Sequence, residues 1–85
     1  FIIASEYKLK PADMDEKLFF HLIWGIKECA YKLYNYINPN FIKDIHVLSI
    51  DTRNKTAYCI IQKNNIKDLY YYINFDNYLI VYTYR

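Results

Sequence analysis

Few side chains in this 85-residue sequence could do acid–base, nucleophilic or metal chemistry. The imidazoles are His21 and His46, and the thiols are Cys29 and Cys59. Structural zinc takes four Cys or His ligands, usually as close pairs. No C-x-x-C is present and the two cysteines lie far apart, so no metal ligands are expected. The cysteines read instead as buried free thiols in a reducing compartment. Catalysis needs an oriented base, paired carboxylates or an activated nucleophile. His21 falls on the polar side of a helical pattern and His46 within a strand pattern, and neither has such company. No catalytic residue, no cofactor and no intrinsic enzymatic activity are expected.

The chemistry that remains is that of binding. Eleven Tyr, thirteen Ile, nine Lys and eight Asn dominate the chain, all from A/T-rich codons, so part of the tyrosine excess is compositional. Tyrosines on an open sheet face can stack nucleic-acid bases, each worth about 1–3 kcal/mol. Tyr58, Tyr82 and Tyr84 are the candidates. Arg53, Lys55, Lys63, Lys67 and Arg85 are the candidate cations, neutralising phosphates without reading sequence. The net charge of only +2, with a pI near 8.5, is low for a free-standing nucleic-acid binder and suits one that shares RNA with a partner.

These residues need elements to place them. The 54% apolar content and single glycine describe a packed chain, and the length allows one domain, 1–85. The segment Phe1–Lys8 reads as a strand. Asp13 then caps a helix over 14–37, with Glu16 at the capping-box position. Within it Phe19, Leu22, Ile23, Ile26, Ala30, Leu33 and Ile37 recur at spacings of three and four. Asn38-Pro39-Asn40 stops it. Ile45–Asp51 and Thr56–Gln62 form a hairpin around Thr52–Lys55, Asn65–Ile73 reads as a second helix, and Tyr78–Arg85 closes as a strand. The order β-α-β-β-α-β predicts an α+β, ferredoxin-like fold, a four-stranded antiparallel sheet with both helices on one face.

Alternation assigns the faces of that sheet. Ala57, Cys59 and Ile61, with Leu79, Val81 and Thr83, suit the helix side, which leaves Tyr58, Tyr82 and Tyr84 on the open side. On the long helix Phe20, Trp24 and Tyr31, with Lys27 among them, form a second stripe beside the core face. Three bare aromatics would expose several hundred Å², the size of an interaction patch, so a protein interface is expected there. No apolar run approaches the ~20 residues of a membrane span. No cationic leader precedes an apolar stretch, so no signal peptide is expected.

Two ferredoxin-like families can be tested by motif. Lys55–Gln62 lacks the glycines of the RNA-recognition motif on strand three. Lys8–Asp13 has neither the Gly nor the Arg of an acylphosphatase loop. The chain does resemble the small ferredoxin-like protein subunit of archaeal and eukaryotic ribonuclease P and ribonuclease MRP. The likeness lies in the opening strand Phe1-Ile2-Ile3-Ala4-Ser5-Glu6 and the long helix. It continues through Thr56-Ala57-Tyr58-Cys59-Ile60-Ile61-Gln62-Lys63 before Asn65–Ile73, and ends at Tyr82-Thr83-Tyr84-Arg85. Ala57, Gln62-Lys63 and Tyr82 depart from the Gly, Arg-Cys and Gly at the corresponding family positions.

The resemblance implies a non-catalytic subunit of an RNA-based endonuclease that removes the 5′ leader of precursor tRNA, in an intracellular, nuclear or nucleolar setting. It also implies a larger barrel-like protein partner that shares the structured RNA. The competing expectation is a ferredoxin-like interaction module without an RNA role, its open sheet paired to a second copy in a homodimer.

Overall fold

The strongest periodic pattern becomes the scaffold. In a computed structural model that describes every residue except Asn77 and Arg85, Phe19, Leu22, Ile23, Ile26 and Ala30 are fully buried along one face of α2 (Glu16–Leu33). The Asp15 carboxylate caps this helix by accepting from the Leu18 N–H at 3.2 Å, two residues later than the expected cap at Asp13. The helix ends at Leu33, and Asn35–Ile37 forms a separate 3₁₀ turn closed by Asn38 in the left-handed region.

Four strands follow: β1 (Ile45–Asp51), β2 (Thr56–Ile61), β3 (Ile66–Phe75) and β4 (Tyr78–Tyr82). They pair antiparallel in the spatial order β1-β2-β3-β4, and α2 packs against β1, β2 and β4. The core lies between them, with Ile45, Val47, Ala57, Cys59, Ile61, Tyr70 and Tyr72 facing the helix. Gly25, the chain's one glycine, marks a close approach of α2 to β4. A Cβ there would stand 2.9 Å from Val81 Cγ2, so α2 lies nearer to β4 than an alanine would allow.

The expected class holds: α+β, with a four-stranded antiparallel sheet and helices packed against it. The route of the chain differs in two segments. Phe1–Lys8 is no strand; it contains the one-turn helix α1 (Ala4–Tyr7). Glu6 decides this. Its Oε1 accepts from the Ile3 N–H at 3.0 Å and meets Lys27 Nζ at 2.8 Å, while Oε2 accepts from the Val47 N–H at 2.6 Å. Lys27 Nζ also donates to the Phe1 carbonyl at 2.6 Å. This wholly buried pair turns the segment inward at the edge of β1, where the register shifts between Val47 and Ser49.

The second difference is Asn65–Ile73, which forms most of β3 instead of a helix. Asn65 adopts φ 52° and closes the 3₁₀ turn Gln62–Asn64, so it ends a turn where a helix cap was expected. Beyond it Tyr70 and Tyr72 are buried while Tyr71 and Ile73 face away, a period of two. The spacing of Ile66, Leu69, Tyr70 and Ile73 also fits a helix. The free edge of β2 and the strand preference of three consecutive tyrosines settle the competition. The strands therefore follow one another as a meander, with no helical crossover among them.

Candidate nucleic-acid interface

The face of the sheet away from α2 is uncovered. Cross-strand pairs place Tyr58 beside Leu69, Ile60 beside Lys67, Tyr71 beside Tyr82, Ile73 beside Ile80, and Phe75 beside Tyr78. Tyr78 is 68% exposed and Tyr84, just past β4, is 74% exposed. Only two carboxylates occur within the four strands, Asp51 and Asp68. Asp68 lies on the helix side, accepting from the Tyr34 hydroxyl. Asp51 sits at the margin, where its carboxylate accepts from the Arg53 and Asn54 N–H groups. Those bonds, Asn54's foremost, hold its carboxyl below the usual range.

Two aromatic centres stand on this face. Lys67 Nζ lies 4.7 Å from the centre of the Tyr58 ring, a cation–π contact that joins a positive charge to an aromatic surface. Tyr71 and Tyr82 stack at 5.6 Å with an 18° tilt, and Tyr84 sets its edge against both, at 5.1 and 5.8 Å. Desolvation within this cluster, reinforced by Tyr84, raises the Tyr82 phenol above its ordinary range. The three rings together present a contiguous aromatic surface.

The expected residues divide accordingly. Tyr58, Tyr82 and Tyr84 occupy the open face, and Lys67 joins them from β3 instead of from a helix start. Arg53 sits in the exposed hairpin loop and Lys63 in the exposed 3₁₀ turn, both at the sheet's margin. Lys55 turns the other way: its Nζ donates to Asn74 Oδ1 at 3.1 Å and lies over the core-side Tyr72 ring. Arg85 lies outside the described residues. Tyr71 was not expected on this face, because a helical reading of its segment conceals the alternation that places it there.

On the helix stripe one of the expected residues, Lys27, is corrected. Lys27 is fully buried against Glu6, so it offers nothing to a partner. Phe20 is half-buried beneath Tyr7, and Trp24 lies between Phe1 at 5.3 Å and Phe41 at 5.0 Å. Tyr31 sets its ring against Phe41 at 5.7 Å. The chain's own first residues and the segment after α2 pack against the stripe without covering it, since Trp24 stays 44% and Tyr31 36% exposed.

Cys29 and Cys59 are free, half-buried and buried respectively. Among the described residues no cluster of His, Cys, Asp or Glu could hold a metal ion, and no helix is long and apolar enough to cross a membrane. Compared with protein-family descriptions, with curated proteins and with solved structures, the chain matches none.

Proposed function

We propose that this protein binds single-stranded or unpaired RNA on its open sheet face, as an accessory subunit without chemistry of its own. One observation carries the reading: the face joins the Tyr71–Tyr82–Tyr84 cluster to the Lys67–Tyr58 pair, with Asp51 at its rim as the only strand carboxylate on that side. Bases can stack on the rings while Lys67 and Arg53 meet phosphates. The family resemblance supplies the setting, a protein subunit of ribonuclease P or ribonuclease MRP that supports the catalytic RNA in 5′ maturation of precursor tRNA beside a barrel-like protein. Its long helix and hairpin coincide with α2 and β1–β2, whereas its first strand and second helix correspond here to α1 and β3. The open face is therefore the stronger support for RNA binding.

The test is fluorescence anisotropy with labelled precursor tRNA and a single-stranded oligonucleotide, with and without the candidate barrel-like protein. Tyr82→Ala and Tyr58→Ala should each weaken binding by about 5- to 150-fold, the equivalent of ~1–3 kcal/mol of stacking. Two phosphate contacts on a single strand give a log–log salt slope of only about −1.4. Absence of binding under all these conditions, or indifference to both tyrosine substitutions, refutes the proposal.

A further inference from the structure

The two edges of the sheet are treated differently. On β1 the Val47 N–H is taken by Glu6, a register shift interrupts the ladder, and α1 lies alongside. On β4 nothing comparable occurs among the described residues. It pairs with β3 alone, without a register shift, and Tyr78-Leu79-Ile80-Val81-Tyr82 contains no charge, proline or glycine. Natural sheets blunt their exposed edges with such features, because a row of unpaired N–H and C=O groups is a template for another strand.

We propose that the free edge of β4 pairs with β4 of a second copy of this chain, antiparallel about a two-fold axis. The segment is complementary to itself. Full overlap sets Ile80 opposite Ile80 of the partner copy and Tyr78 opposite Tyr82, so no charge faces a like charge. Space is available on the helix side, where an open groove of about 1130 Å³ runs along the line on which α2 packs against β4. Its α2 wall carries Asp15 and Lys17 at one end and Glu28 and Lys32 at the other. A two-fold axis brings opposite ends together, each with one acid and one base.

The strength of the contact follows from its size. Tyr78 is 68% and Ile80 49% exposed. Together they leave roughly 200 Å² of side chain bare per copy, taking ~150–250 Å² for a whole large side chain. Reaching the ~1,200 Å² of a small specific interface requires the groove walls of both copies as well. A contact at the low end of the interface size range is weak and reversible. The result is an eight-stranded sheet whose open face runs continuously across both copies, with Tyr78 of one copy beside Tyr82 of the other; the pairing is argued from the edge of β4 and does not rest on RNA binding.

Sedimentation velocity of the 85-residue chain, over low to high micromolar concentrations, should show a reversible monomer–dimer equilibrium. Ile80→Lys should weaken it by about tenfold, since charge on an edge strand opposes pairing, and should leave thermal unfolding unchanged. In a Cys29→Ser background, Ile80→Cys should form a disulfide-linked dimer on mild oxidation. Opposed residues of antiparallel strands stand about 4.5–5.5 Å apart, within disulfide reach. Leu48→Cys on β1 should remain monomeric. A monomer at every concentration, or a dimer that Ile80→Cys fails to crosslink, overturns the proposal.

Discussion

Replacing Lys27 with Met should be among the most damaging single changes in this protein. Methionine retains most of the stem's volume and deletes only the ammonium. The Glu6 carboxylate, fully buried, then keeps two backbone donors, Ile3 N–H and Val47 N–H, but loses its counter-charge. The Phe1 carbonyl loses its donor as well. Breaking a buried pair from one side costs about 3–5 kcal/mol. A chain of this length holds only ~4–13 kcal/mol in all, so the loss is a large share of the total. Adding Glu6→Gln removes the stranded charge and keeps an acceptor for one backbone N–H, which should restore ~1–3 kcal/mol. Urea unfolding followed by circular dichroism and by Trp24 emission reads both effects, and Trp24 reports separately on the segment carrying Phe1. With a urea slope of ~1 kcal/mol/M, the Lys27→Met midpoint should fall by ~3 M or more. A shift below ~0.5 M, or a double variant less stable than Lys27→Met alone, would show that the pair does not fasten the first ten residues.

Two further outcomes can be checked on the same material. Gly25→Ala gains ~1 kcal/mol of helix propensity but drives a methyl into Val81, a misfit worth ~1–3 kcal/mol, so it should destabilise slightly. In a Val81→Ala background the same substitution should stabilise, and thermal melts of the four variants decide it. Cys29 should react with a thiol reagent in the folded state while Cys59 does not. Burial, reinforced by the Glu6 charge, pushes the Cys59 thiol up to about 12, whereas Cys29 is half-buried and raised by burial to a lesser extent. Because the folded state raises the Cys59 value, its stabilisation is complete below the ordinary thiol pKa near 9 and is lost as pH climbs through about 12. Labelling followed by mass spectrometry at mildly alkaline pH distinguishes the two thiols, and equal labelling would refute the burial of Cys59.

What could be read from the chain and what could not separate along a physical line. The spacing of Phe19, Leu22, Ile23, Ile26 and Ala30 permits one solution, an amphipathic helix, and it formed. The alternations Thr56–Ile61 and Tyr78–Tyr82 likewise assigned Ala57 and Cys59 to the core and Tyr58 and Tyr82 to the open face. Those patterns are local, and burial against any apolar layer satisfies them.

Tertiary structure decided the rest, because the decisive partners are remote in sequence. Phe1–Lys8 carries strand-forming residues, yet Glu6 finds Lys27 and the Val47 N–H, and a buried carboxylate must go where its counter-charge is. Asn65–Ile73 satisfies both a helical and a strand pattern, and the unpaired edge of β2 selects the strand. The same selection brought Tyr71 to Tyr82 and Tyr84, and Lys67 to Tyr58. By itself the sequence determined which faces are apolar and that tyrosines would be left over. Only the fold decided which tyrosines meet, since that depends on strand order and register, and these are set by pairings between distant segments.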